Sequence, residues 1–128
     1  MAYQSFEELE VWQRGCRLAV RLFQAFADCK CVNLKNQIER AGLSIPSNIA
    51  EGAERGGARE FSQFLKIAKG SSGELRTQLY IASKLNLLEA SLIRQLVRES
   101  RELSSMLEGL RKSIARSGVK RSALNLQT

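Results

Sequence analysis

Three sets of side chains in this sequence could do chemistry. Glu51, Glu60 and Glu74 are carboxylates of the kind that hold magnesium or manganese, or that exchange protons in acid–base catalysis. Cys16, Cys29 and Cys31 are candidate metal ligands. Arg111, Lys112, Arg116, Lys120 and Arg121 follow Glu108, the last acid of the chain, and make a cationic end suited to anionic partners.

The absence of histidine from all 128 residues removes much of this chemistry. Serine and cysteine mechanisms with a histidine base are excluded, as are histidine-rich zinc sites and the Glu-x-x-His iron motif of carboxylate bundles. Cys29 and Cys31 stand two apart, and one further cysteine cannot complete a four-ligand tetrahedron. Reduced thiols of a cytoplasmic protein are the expected state. Gly52, Gly56, Gly57, Gly70 and Gly73 never match the phosphate-loop pattern G-x-x-x-x-G-K-[ST]. Ser117 to Lys120 matches S-x-x-K by spacing alone, with no scaffold to position it. The expectation is a non-enzymatic protein with no cofactor, no metal and no catalytic residue.

The elements that must position these residues are helical. The chain is 44% hydrophobic and 26% charged, which suits one compact domain, and its single proline leaves long stretches free to form helices. No uncharged run exceeds Ala41–Ala50, about half of what a membrane-spanning helix requires, and Met1–Glu10 lacks the basic start of a signal peptide.

Ser5 and Glu8 have capping-box spacing at the start of the first segment. Phe6, Leu9, Trp12, Cys16, Ala19, Phe23 and Phe26 then recur at helical steps as its predicted core face. Val11, Leu18 and Leu22 form a second stripe, which predicts an additional partner surface. After a polar loop over 27–33, Leu34, Ile38, Ala41, Ile45 and Ile49 mark a second helix, bent at Pro46 and stopped by Gly56 and Gly57. A third helix is predicted from Ala58 to Asn86, with Phe61, Phe64, Leu65, Ala68, Leu75, Leu79 and Ala82 inward. The fourth, from near Ser91 to Ala115, turns Leu92, Leu96, Leu103, Leu107, Leu110 and Ile114 inward. Four such helices with short links give an all-α, up-down-up-down antiparallel four-helix bundle over residues 1–116. Residues 117–128 are basic and aperiodic and are expected to be a mobile tail.

The charge is one-sided. Residues 1–57 hold seven basic and seven acidic side chains, whereas residues 58–128 hold thirteen and six, so the formal +7 lies in the second half. On the second helix, Arg40, Ser44, Asn48, Glu51 and Arg55 recur at steps of four, four, three and four as a polar stripe. On the third, Gly70-Ser71-Ser72-Gly73 is a small-residue patch where a neighbouring backbone is expected to approach closely, with Glu74 one turn beyond Gly70. The expected arrangement is a structural network in which Asn48, Glu51 and Arg40 meet Ser71 or Glu74. A carboxylate metal or acid–base site, or a ligand contact along the stripe, are the alternatives.

Two runs are too particular for generic bundle sequence: Ser44-Ile45-Pro46-Ser47-Asn48-Ile49-Ala50-Glu51-Gly52, preceded by Gln37, Arg40 and Ala41, and Phe61 through Leu75. In this order and separation they resemble the four-helix-bundle family known from intervening sequences in bacterial 23S ribosomal RNA genes. The resemblance covers about Phe6 to Ala115. It implies an antiparallel bundle that assembles into a homopentameric ring and brings no catalytic activity. It also implies similarity to accessory proteins of diversity-generating retroelements, which act with a reverse transcriptase and its RNA. Association with RNA through Arg111, Lys112, Arg116, Lys120 and Arg121 is one expected function. A scaffold that docks a reverse transcriptase without touching nucleic acid is the other.

Overall fold

The computed structural model describes residues 5–127, with side chains through Arg116. A 3₁₀ turn over Phe6–Glu8 leads into α1 (Glu10–Ala25), α2 (Val32–Glu54), α3 (Ala58–Lys84) and α4 (Ala90–Gln127). Contacts join α1 to α2, α2 to α3, α3 to α4 and α4 back to α1, with no diagonal pair. The helices therefore stand as the corners of a square, and the α1–α2 face lies opposite the α3–α4 face. The all-α four-helix bundle is the observed fold.

The links follow local chemistry. Ser5 caps the 3₁₀ turn by accepting from the Glu7 amide at 3.2 Å, one residue earlier than a capping box would place the bond. Gly56 takes φ +82° just after α2, the left-handed turn that a residue without a Cβ adopts freely. After α3 the same role falls to Asn86 at φ 55°. The Leu87 amide reaches the Ala82 carbonyl at 3.0 Å and the Asn86 amide reaches Ser83 at 3.1 Å, the paired bonds of a Schellman cap. Asn86, predicted as the last helical residue of α3, is instead the residue that stops it. α4 runs past Ala115, where its apolar periodicity ends, to Gln127. The side chains of the predicted tail, residues 117–128, lie outside the described ones.

The core takes residues from both stripes predicted for the first helix: Leu9, Ala19 and Phe26 of the first stripe are buried as predicted. Val11, Leu18 and Leu22 are buried, whereas Trp12 and Cys16 are half-buried and Phe23 is exposed. One of two glycines at the α1–α2 contact makes room for the second stripe. A Cβ on Gly15 would touch Ile45 and Pro46 at 3.5 Å, and one on Gly42 would lie 2.5 Å from Leu22 Cδ1. Gly42 thus gives Leu22 the room to nest against α2, whereas Gly15 sits at ordinary contact distance from it. The outer α1 face carries exposed Val20 and Phe23 after half-buried Trp12 and Cys16, at steps of four, four and three. Ile38, Ala41, Ile45 and Ile49 of α2 are buried as predicted, and Pro46 packs inside α2 without dividing it. In α4, Ile93 and Val97 join Leu96, Leu103 and Leu107 in the core.

Close approach occurs at glycines other than those predicted. A Cβ on Gly52 would lie 2.5 Å from Phe64 Cβ, while one on Gly70 would meet nothing and one on Gly73 only an arginine tip at 3.9 Å. Phe64 Cβ is fixed to its backbone, whereas the Leu22 methyl can swing aside. Gly52→Ala is therefore expected to destabilise by about 1–3 kcal/mol and Gly42→Ala by less, from overpacking. Gly70→Ala is expected to stabilise, by up to about 1 kcal/mol, from helix propensity alone. Thermal melts of the three variants check this ordering.

Candidate functional site

The motif stripe on α2 splits into two parts. Ser44 Oγ and Ser71 Oγ are 2.8 Å apart across α2 and α3, and Asn48 Nδ2 donates to the Ser44 carbonyl and hydroxyl at 2.8 and 2.9 Å. These three form the predicted network. Arg40, Glu51 and Glu74 do not join it: all three are exposed. Arg55 pairs with Glu51 at 3.2 Å and Glu60 at 3.6 Å while lying 4.9 Å over the Phe64 ring. Two of the three candidate carboxylates are thus tied to one guanidinium. Among the described residues no group of three or more cysteines or acids is arranged to hold a metal ion. Burial pushes the Cys16 thiol above its ordinary pKa, away from thiolate chemistry.

The strongest concentration of unpaired charge lies elsewhere, on the α3–α4 face. Its scaffold is a seam of small side chains. Ser72 Oγ donates to the Ser100 carbonyl at 2.8 Å and accepts from Ser104 Oγ at 2.9 Å. Arg76 Nη1 caps the seam by donating to Ser104 at 3.1 Å and Ser100 at 3.4 Å. Serines let the two helices approach, so the larger side chains flanking them line a groove.

One depression of that groove, about 420 Å³, is bordered by Tyr80 and Ser83 of α3 and by Arg94, Arg98 and Arg101 of α4, over Ile93 and Val97. Arg94 and Arg98 make no ion pair or hydrogen bond among the described residues, and Arg101 donates to the Tyr80 hydroxyl at 2.8 Å. A second depression, about 410 Å³, continues toward Lys69, Ser105, Glu108 and Lys112. Arg94, Arg98, Arg101, Ser105, Lys112 and Arg116 fall at helical steps along one stripe of α4. The nearby acids Glu99 and Glu102 turn the other way, to Arg14 of α1 at 3.0 and 2.5 Å.

Glu108 interrupts the basic stripe and neutralises part of its far end. Arg111 pairs with it at 2.6 Å, Lys69 at 3.4 Å and Lys112 at 4.0 Å. Of the five predicted cationic residues, Arg111 and Lys112 are therefore engaged with Glu108, Arg116 is exposed, and Lys120 and Arg121 lie outside the described side chains. The prediction missed Arg94, Arg98, Arg101 and Tyr80. The spacing of the arginines on α4 was the available signal, since steps of four and three place all three on one helix face; Tyr80, on α3, had no such signal.

The Arg111 hydrogen bond, aided by Lys69, lowers the Glu108 pKa from 4.5 to about 2. A carboxyl depressed in the folded state adds stability above its unfolded pKa and loses it as pH falls to the folded one. Glu108→Gln is therefore expected to flatten the loss of stability between pH 4.5 and about 2 relative to the parent. Denaturant melts across that range measure it.

The chain has relatives with the same architecture. A family model described as the 23S rRNA-intervening sequence protein matches residues 7–109. No curated protein matches. A crystal structure from Bacteroides thetaiotaomicron, of a protein with unknown function from the S23 ribosomal protein family, superposes with a TM-score of 0.74. It is 22% identical and covers 80% of this chain and 95% of that one. The match over most of the bundle places the chain in a family: it belongs to the 23S rRNA-intervening sequence proteins.

Proposed function

We propose that this protein is a non-enzymatic, homo-oligomeric bundle that binds RNA by its phosphate backbone along the α3–α4 groove. The observation that carries this reading is the row of Arg94, Arg98 and Arg101, exposed and without a carboxylate partner among the described residues. Membership of a family described by an rRNA intervening sequence adds to it. A row of cations over a shallow groove suits a polyanion, releases its counterions on binding, and reads little sequence.

The apolar side of the bundle supports the oligomer. Val20 and Phe23, flanked by half-buried Trp12 and Cys16, leave α1 with an apolar strip away from the arginines, so one face can join subunits while the other meets RNA. A pentamer is the expected assembly. Native mass spectrometry at micromolar concentration should find it, and a monomer there argues against the interface. The same apolar face favours a second reading, in which it docks a protein such as a reverse transcriptase and the chain contacts no nucleic acid.

Salt dependence separates the readings. Filter binding to a mixed-sequence single-stranded RNA should weaken with salt at a log–log slope of about −0.7 per phosphate contact. Replacing Arg94, Arg98 and Arg101 by Gln should make the slope shallower by about 2, three contacts at that value. Deleting residues 117–128 tests the basic end in the same assay. A slope changed by the deletion alone assigns the contact to the tail, and no binding by the parent favours the protein-docking reading.

A further inference from the structure

We infer that the α3–α4 groove selects single-stranded over duplex nucleic acid by stacking a base on the ring of Tyr80. This rests on the nucleic-acid reading above and adds to it the part of the ligand that phosphate contacts do not touch.

Tyr80 is 45% exposed, although it stands on a helix whose other aromatics, Phe61 and Phe64, turn inward. Its ring is held rather than loose, because Arg101 Nη2 donates to the hydroxyl oxygen at 2.8 Å. That bond uses an acceptor site and leaves the phenolic proton available to a phosphate or sugar oxygen. The groove floor beside the ring is apolar, from Ile93 and Val97, and its α3 wall is opened by the small Ser83. An apolar slot between an aromatic ring and a line of guanidinium groups matches a ligand with a flat face and an anionic edge. A polyphosphate or sulfated chain would leave the slot unused.

The geometry also disfavours a duplex. Neighbouring packed helices stand about 8–10 Å apart, so the groove between them is too narrow to seat a double helix. A duplex would touch only the arginine rim and offer no unstacked base to Tyr80. In a single strand the bases are free to turn into the slot while successive phosphates meet Arg94, Arg98 and Arg101. Those residues rise about 6 and 4.5 Å apart along α4.

Fluorescence anisotropy on the full chain tests this with three labelled probes. These are a mixed-sequence single-stranded RNA of about ten nucleotides, its duplex, and a strand of the same length carrying abasic sites. Tyr80→Ala should weaken binding of the single strand by about 5- to 150-fold, the range of one lost base–aromatic stack. It should leave the duplex and the abasic strand at parental affinity. Tyr80→Phe keeps the ring and should retain most of the single-strand affinity, so a loss confined to Tyr80→Ala separates stacking from the hydroxyl bond to Arg101. Melting curves of both variants should overlay the parent, because the side chain is half exposed. Equal affinity of Tyr80→Ala and parent for the single strand overturns the inference while leaving the backbone-binding reading intact. Equal losses on all three probes overturn it as well, since they report charge or structure. Failure of the parent to bind any probe overturns both.

Discussion

The arrangement of charged and apolar faces depends on how closely α3 and α4 can pack. Ser72, Ser100 and Ser104 fill that seam, and each hydroxyl is satisfied within it, so three polar groups are buried without a desolvation penalty left standing. Small residues at the contact bring the two backbones together and push every long side chain to the flank. Arg76 closes the seam from above, and Tyr80 and Arg101 meet beside it. Leucines in place of the serines would separate the helices and spread the groove walls.

Charge is distributed according to the same geometry. Glu99 and Glu102 pair with Arg14 across the α1–α4 edge and Glu51 and Glu60 with Arg55, away from the α3–α4 groove, while Glu108 pairs with Arg111 and Lys69 at its far end. Part of the formal surplus of +7 then stands free of carboxylates at Arg94, Arg98 and Arg101, before Glu108 interrupts the stripe of α4. A net charge alone carries no such information. It becomes a surface property only when the helix phase is known.

Helix existence and the inward faces of α2 and α3 are legible in the sequence because each has a single apolar stripe. α1 is ambiguous because it has two, both with helical period, and hydrophobicity alone favours the stripe with the aromatics. Both stripes supply core residues, and the room for Leu22 comes from Gly42 of the neighbouring helix, which a reading of α1 alone does not weigh. In the Gly70–Gly73 patch the serines rather than the glycines make the predicted close contact, Ser72 reaching the Ser100 carbonyl and Ser71 reaching Ser44. At the polar stripe, short Ser44, Asn48 and Ser71 find one another, while the long Arg40 and Glu51 have the reach to remain in solvent. The acid-free chain end drew attention from Arg94, Arg98 and Arg101, which are interleaved with Glu99 and Glu102 and look neutralised in linear order. Helical winding sends the two signs to different sides.

The α1–α4 edge is closed differently from the serine seam. Arg14 reaches Glu99, Glu102 and the Met106 sulfur, and Arg21 reaches Gln95, so charge rather than close packing fastens the first helix at this edge. Elements attached in this way open as local units before the whole molecule unfolds. Electrolyte screens partly exposed pairs of this kind. Amide protons of α1 should therefore exchange faster as ionic strength rises, while those of α3 keep their protection. On the proposed RNA reading, the ionic strength that would release the strand from one flank of α4 is also the one that loosens the helix clipped to its other flank, so binding and a closed first helix would share the same dilute electrolyte.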